Sequence, residues 1–327
     1  MPTAAETDRV ERSNRLRAGR RGARRGKPGR SLLAISDLGA ADVRALLAGG
    51  LAAKRDPGLL ARALAGRSVA LLFQKTSTRT RCSFEVGVGQ MGGQPLYLDW
   101  RSSNFTLGEL DDETRVLSRY FDLVMARVYK HEDLVAMKAA SEVPIINGLC
   151  DRHHPCQALS DYMTALEYFG DLEGLKIAYV GDGNNVCHSL IEGAVRVGME
   201  IAVAHPPAYA PRAEIVAAAR ALGRVTLTSD PREAVAGADV VYTDTWVSMG
   251  DEAQKEARLA AFAGFQVDEA LMAHAPGHAL VMHCLPAHRG YEISSAVLDS
   301  ANSVVFDQAE NRLYLQKYLM AWILEAA

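Results

Sequence analysis

The sequence predicts an α/β protein made of two doubly wound parallel-sheet domains joined by long helices. Three observations carry that expectation. Short apolar runs alternate with helical stretches along almost the whole chain. Polar clusters follow the ends of those runs. The alternation also starts afresh after a long helical segment near the middle, and a chain of 327 residues suits two medium domains.

Taken in order, residues 1–30 are Arg-, Gly- and Ala-rich without apolar periodicity and read as a mobile basic extension. Ordered sequence is expected from Ser31, with Ser36 or Asp37 capping a helix through Leu47. Val69–Phe73 reads as a buried strand. The polar turn Gln74–Arg79 follows, then a helix from about Thr80 to Met91 that Gly92-Gly93 stops. Leu96–Leu98 is a strand, 99–112 a polar loop, Thr114–Tyr120 a helix, and Leu123–Val128 and Val143–Asn147 strands. His154-Pro155-Cys156-Gln157 opens a long helix to about Phe169, and the domain boundary is placed there, dividing 31–150 from 151–307. The second series has strands at Lys176–Val180, Glu200–Ala204, Arg224–Thr228, Val240–Thr243 and Ala279–Met282. Helices are expected from Asn185 to Gly193 and over 213–222 and 230–235, with a last helix from Gln308 to Leu324.

Composition narrows the function classes. At 49% hydrophobic and 23% charged the chain is of ordinary globular composition, and no run approaches the ~18 apolar residues that span a membrane. The net charge of −3 is uneven: residues 1–30 hold nine Arg and one Lys against Glu6, Asp8 and Glu11, leaving the remainder clearly acidic. A basic globular surface for nucleic acid is therefore not indicated. The basic stretch lacks an apolar core for a secretory leader, and its three acidic residues argue against an organelle transit peptide. The five cysteines (Cys82, Cys150, Cys156, Cys187 and Cys284) are odd in number and scattered, without Cys-x-x-Cys. A disulfide framework and a zinc knuckle are both disfavoured, and a reducing, cytoplasmic setting fits.

The chemistry is expected where ligands bind in doubly wound sheets, outside the carboxyl ends of strands. Six clusters fall there: Ser77–Arg81, Arg127, His154–Gln157, Gly181–Asn185, Asp244–Met249 and His283–Arg289. Ser77-Thr78-Arg79-Thr80 at a helix start reads as an anion site, because first-turn N–H groups lack intrahelical partners and the helix dipole favours negative charge. Arg79 adds a permanent, bidentate charge. Each cluster alone also admits a structural role: His154 as a helix cap, Asp244 as a helix-start group, Cys284 as a small buried hydrophobe. Gly181-Asp182-Gly183 suggests dinucleotide binding, but Val186 stands where the third glycine belongs and Asn184-Asn185 would crowd a pyrophosphate. His153, His154, His283 and Cys284 lack the local spacing of a metal site.

The set of motifs resembles the aspartate/ornithine carbamoyltransferase family, most closely its ornithine branch, from about Ser31 to the C-terminus. The strings are Ser77–Arg81, His154–Gln157, Asp244-Thr245-Trp246-Val247-Ser248-Met249-Gly250, His283–Gly290 and Phe306–Arg312. The resemblance implies carbamoyl transfer from carbamoyl phosphate to the side-chain amine of L-ornithine, giving L-citrulline and phosphate in arginine metabolism, without cofactor or metal. It implies that residues 31–150 bind carbamoyl phosphate, that the helix at 308–327 packs back on them, and that 151–307 bind the amino acid. Ser77, Thr78, Arg79 and Thr80 would hold the phosphate. Arg127, His154 and Gln157 would orient the carbamoyl group, Cys284 and Leu285 would line the reacting centre, and Arg312 would return from the last helix. Asn185, Asp244, Ser248 and Met249 would hold ornithine. Direct attack by the amine makes Arg127, His154 and Cys284 the catalytic set, with Cys284 positioning rather than attacking. The family also implies a homotrimer or a multiple of it.

One departure bears on substrate choice. Ornithine enzymes carry Gln-Leu-Gly or Gln-Ile-Gly in the loop after the phosphate helix, whereas this loop reads Ser103-Asn104-Phe105-Thr106-Leu107-Gly108-Glu109, with Asn104 or Thr106 at the glutamine's place. Rival readings are a carbamoyltransferase for putrescine or a substituted ornithine, an NAD-dependent oxidoreductase using Gly181–Asn185, and a catalytically silent relative.

Overall fold

Two parallel sheets organise the chain, which is described here by a computed structural model over residues 30–247 and 252–326. The first sheet contains β1 (Ser68–Phe73), β2 (Gln94–Asp99), β3 (Leu123–Arg127) and β4 (Ile145–Leu149) in the order β2-β1-β3-β4. The second contains β5 (Lys176–Val180), β6 (Glu200–Ala204), β7 (Val225–Thr228), β8 (Val240–Thr243) and β9 (Leu280–His283) in the order β7-β6-β5-β8-β9. Every pairing between these strands is parallel. The direction of winding reverses between β1 and β3 in one sheet and between β5 and β8 in the other. Crevices open at such reversals, outside the strands' carboxyl ends. Phe73 there pairs with Arg127, and Val180 with Thr243.

The twofold side-chain period of each strand separates its two faces. In β1, Val69, Leu71 and Phe73 join the large central core, while Ala70 and Leu72 join the core on the other side. In β5, Ile177 and Tyr179 face the central core and Ala178 and Val180 the outer one. The central core is continuous across both sheets because long helices lie between them: α1 (Ala40–Arg55), α2 (Thr78–Gln90), α5 (Pro155–Phe169), α6 (Asn185–Val197) and α12 (Val305–Ile323). The last of these packs on α1, α5 and α2. Gly49 permits that approach, since a Cβ there would sit 2.0 Å from the Tyr318 ring.

Local structure departs from the sequence expectation at several ends. Asp37 does not cap α1; it closes a 3-10 turn, accepting from the N–H of Leu33 at 2.7 Å and of Ala34 at 3.1 Å, and Gly39 occupies the cap. α2 begins at Thr78, because Ser77 Oγ accepts the Thr80 N–H at 3.3 Å and so takes the N-cap. The 99–112 loop contains two 3-10 turns, Trp100–Ser102 and Asn104–Thr106, and helix α3 already starts at Leu110. A helix at His131–Ala140 (α4) was not anticipated, its charged residues masking a short buried stripe of Leu134 and Met137. Ser248 and Met249, and the extension up to residue 29, lie outside the described residues.

Candidate active site

Three guanidinium groups meet at the β1/β3 reversal. Arg79 stands in the first turn of α2, Arg127 ends β3, and Arg312 descends from α12. Arg312 Nη2 donates to Thr80 Oγ1 at 2.9 Å, and Arg79 Nη2 donates to the Leu285 carbonyl at 2.6 Å. Arg127 and Arg312 are buried, and each retains a buried Nε without a partner. Burial, then the charges of Arg312 and Arg79, hold the Arg127 guanidinium down at about 9. Arg312 is lowered by burial and by Arg79 as well. Among the described residues these cations have no carboxylate pair, and crowded in this way they form a field that a multiply charged anion would relieve. Arg81, the other basic residue of the motif, is engaged elsewhere, bonding Glu85 at 2.9 Å and lying over the Tyr97 ring.

Beside the arginines, α5 starts with His154 at its N-cap position and Pro155 in its first turn. The His154 backbone N–H donates to Ser189 Oγ at 2.8 Å, and its Nδ1 is buried without a partner. Burial, reinforced by Arg312, Arg127 and Arg79, pushes this imidazole well below its ordinary range, so it is neutral. One turn on, Gln157 Nε2 donates to Asp161 Oδ1 at 2.8 Å, leaving Oε1 buried and unpartnered. Asp161 also accepts from Gln308 Nε2 at 2.7 Å and from the Tyr242 hydroxyl at 3.0 Å. Burial lifts Asp161 to about 7 even though these donors pull it down.

The β5/β8 reversal contributes a second cluster. Asp244 follows β8 and accepts from Asn184 Nδ2 at 2.8 Å and from the Cys284 thiol at 3.0 Å. Burial and the Asp244 carboxylate push the Cys284 thiol well up, so it is a protonated donor and not a thiolate nucleophile. His283 Nδ1 accepts the Leu285 N–H at 2.8 Å, which makes Nε2 the protonated nitrogen facing Glu292 at 3.1 Å. Metal-ligating atoms of Asp244, His283 and Cys284 lie within 4.8 Å of one another, a grouping the sequence did not suggest. Leu285 has φ +58, a backbone conformation unusual for a branched side chain, and its carbonyl is the one that Arg79 holds.

The structure brings Arg79, Arg127, His154 and Arg312 within charge range of one another, bonds Arg312 to Thr80 and Arg79 to the Leu285 carbonyl, and sets Cys284, bonded to Asp244, close enough to act on Arg127. Ser77 caps the helix that carries Arg79, and Gln157 lies one turn into the helix that His154 opens. Thr78 opens α2 itself. Asn185 is placed differently from its neighbour: its Nδ2 donates to the Cys150 carbonyl at 2.5 Å, whereas Asn184 caps α6 and reaches Asp244. Sequence reasoning passed over Asn184, Asp161 and Arg258. The last pairs with Asp182 at 2.7 Å and donates to the Trp246 carbonyl at 3.0 Å, anchoring the loop after β8. An acidic residue on the buried face of α5, four positions after Gln157, was the available signal for Asp161. The glycine turn itself is explained by packing, since a Cβ on Gly183 would lie 2.2 Å from Pro211 N.

Comparisons with known proteins agree with this geometry. Residues 30–167 match the model of the aspartate/ornithine carbamoyltransferase carbamoyl-P binding domain, and residues 173–323 match that of the Asp/Orn binding domain. An ornithine carbamoyltransferase of Methanoculleus marisnigri is 50% identical over 299 residues, covering 90% of this chain and 97% of that protein. The solved ornithine carbamoyltransferase from Pyrococcus furiosus superposes with a TM-score of 0.85 at 46% identity, covering 90% of this chain and 96% of that one. An N-acetyl-L-ornithine transcarbamylase structure follows at 32% identity and a TM-score of 0.81, covering 90% and 99%. With both domain models matched in sequence order, the chain belongs to the aspartate/ornithine carbamoyltransferase family.

Proposed function

We propose that this chain transfers the carbamoyl group of carbamoyl phosphate to the side-chain amine of L-ornithine, releasing L-citrulline and phosphate. The observation that carries the reading is the convergence of Arg79, Arg127 and Arg312 on the Ser77–Thr80 turn, near the Asp244–Cys284 pair. In this reading residues 31–150, completed by the helix of 308–327, bind carbamoyl phosphate, and 151–307 bind the amino acid. Ser77, Thr78, Arg79, Thr80 and Arg312 hold the phosphate. Arg127 and neutral His154 donate to the carbamoyl oxygen, whose negative charge grows as the carbonyl becomes tetrahedral. Gln157 takes the carbamoyl N–H, and Leu285 presses against the donor.

Asp244 and Asn185, with Ser248 and Met249, hold the α-amino acid end of ornithine so that its neutral amine meets the carbonyl carbon. The new C–N bond forms, the C–O bond to phosphate breaks, and the proton that the amine loses leaves on the phosphate. Cys284 stays a thiol and positions the acceptor through Asp244. The test is citrulline formation with ornithine against putrescine and N-acetylornithine. Putrescine has neither the α-ammonium nor the α-carboxylate that Asp244 and Asn185 would hold, and forgoing two such contacts at roughly 1–3 kcal/mol each should leave ornithine preferred at least about a hundredfold in kcat/KM. Equal turnover of putrescine would overturn the assignment of acceptor.

The chain is further read as a cytoplasmic homotrimer or a multiple of it. Among the described residues all five cysteines are free and no helix is long and apolar enough to cross a membrane. Leu107, 85% exposed at the tip of the loop after β2, supports a subunit contact there. An active monomer in analytical ultracentrifugation would reject the oligomer.

A further inference from the structure

Asp161 lies deep in α5 and is only 1% exposed, yet it ties together parts of the site from distant stretches of chain. Its carboxylate accepts from Gln157 of its own helix, from Gln308 at the start of α12 and from Tyr242 at the end of β8. The two glutamines differ in one respect. Gln308 is fixed at both ends of its amide, because its Oε1 also accepts the His283 N–H at 3.0 Å. Gln157 is fixed only at its nitrogen, and its buried Oε1 has no partner. An ionised carboxylate accepts and never donates, so it leaves the Gln157 amide a single orientation, with the carbonyl oxygen turned away from Asp161.

We propose that Asp161 is a positioning residue that presents the Gln157 carbonyl oxygen to the donor substrate, and thereby selects a carbamoyl phosphate over an acyl phosphate. The inference rests on the function proposed above. Carbamoyl phosphate and acetyl phosphate have the same phosphate and the same carbonyl. They differ where one carries an NH2 donor and the other a methyl group. The unpartnered buried side-chain atoms of the neighbouring Arg127 and Arg312 are guanidinium nitrogens, which only donate, whereas Gln157 Oε1 only accepts. The Gln157 oxygen is thus a side-chain acceptor able to tell NH2 from CH3, and its direction is set by Asp161.

Asp161→Leu tests this with nearly unchanged shape. In wild type both glutamines donate to Oδ1 and the Tyr242 hydroxyl donates to Oδ2, whereas leucine accepts from none of them. Gln308 stays locked by His283, but the Gln157 amide loses its one tether and is free to set its NH2 against the substrate's NH2. Affinities for carbamoyl phosphate, acetyl phosphate and inorganic phosphate are measured at pH 8, where Asp161 is ionised. Wild type is expected to favour carbamoyl over acetyl phosphate by about tenfold or more, the usual scale for an unpaired buried polar group. Asp161→Leu should bring that ratio close to one while inorganic phosphate changes less than about twofold, since the arginines and the α2 turn are untouched. The exchanged pair Asp161→Leu with Gln157→Glu presents a carboxylate oxygen in either orientation and should restore discrimination, which no purely structural role predicts. The proposal is overturned if wild type binds both acyl phosphates alike, if Asp161→Leu keeps the wild-type ratio, or if it weakens all three anions equally. Should the single variant not fold, failure of the exchanged pair to discriminate also overturns it. Wild-type discrimination without citrulline formation would count against the acceptor reading alone.

Discussion

Replacing Arg127 by methionine should make the ligand-free protein more stable while removing its grip on carbamoyl phosphate. Arg127 is buried among Arg312 and Arg79, and its guanidinium is lowered from 12.5 to about 9. At about 1.4 kcal/mol per pKa unit, holding that cation in the fold costs on the order of 5 kcal/mol. Neutral pH lies below both values, so the whole cost is present under ordinary conditions and would be relieved only as the pH rose past about 9. Methionine keeps an unbranched apolar stem and removes the charge. Exchanging buried ions for apolar side chains commonly returns ~1–4 kcal/mol. At roughly 2–4 °C per kcal/mol, the melting temperature should rise by about 2–16 °C. In wild type, carbamoyl phosphate at a hundred times its Kd adds about 2.7 kcal/mol of stability. Losing one or two charge-assisted bonds of ~1.5–3 kcal/mol each abolishes most of that increment. Thermal unfolding in a buffer free of phosphate and sulfate, with and without carbamoyl phosphate, measures both effects. A variant that melts below wild type without ligand, or keeps the wild-type ligand increment, would refute the electrostatic reasoning.

Arg79→Ala should fold normally, because its only described bond is to the Leu285 carbonyl, and should weaken carbamoyl phosphate about ten- to a hundredfold by titration. Gly183→Ala drives a Cβ into the 210–211 backbone. It should cost more than about 2 kcal/mol in denaturant unfolding and raise the ornithine KM, because the turn it distorts carries Asn184 and Asn185. His153 and His188 are held down at about 3 and about 4, mainly by burial. The unfolded chain therefore takes up their protons near 6.5 while the fold does not, so acidification through that window favours unfolding. Asp161, protonated first in the fold, acts in the opposite sense, so the effect is read as a difference. The stability advantage of wild type over His153→Gln should shrink by on the order of 2 kcal/mol between pH 7 and pH 5. An advantage independent of pH would contradict the low value for His153.

What the sequence made legible was local. Ser77–Arg81 could be read because an apolar strand, a hydroxyl cap and a helix start lie within a dozen residues, and each has its own signature. The strand-end rule likewise brought Arg127 and Asp244 forward without any knowledge of their partners. Pairings made through space left little trace. Arg258 and Asp182 are 76 positions apart, and the Leu285 carbonyl that Arg79 grasps is 206 away. Asn184 was overlooked in favour of Asn185 because the two are adjacent, and only the cap geometry decides which side chain swings toward β8. Asp161 was hidden by its setting, an acid inside a helix whose other residues read as core.

The bond between Arg312 and Thr80 also fixes a timetable. Its partners are separated by 232 residues, a span that takes in the entire second domain. A ribosome adding ~5–20 residues per second delivers Arg312 on the order of ten to fifty seconds after Thr80. Throughout that interval the nascent first domain carries the helix-start turn without its third guanidinium, and the surface that α12 covers on α1, α2 and α5 is bare. Synthesis of the second sheet thus precedes completion of the first domain's helical cover. Chains abandoned on a stalled ribosome own the helix-start turn yet lack the guanidinium that bonds Thr80.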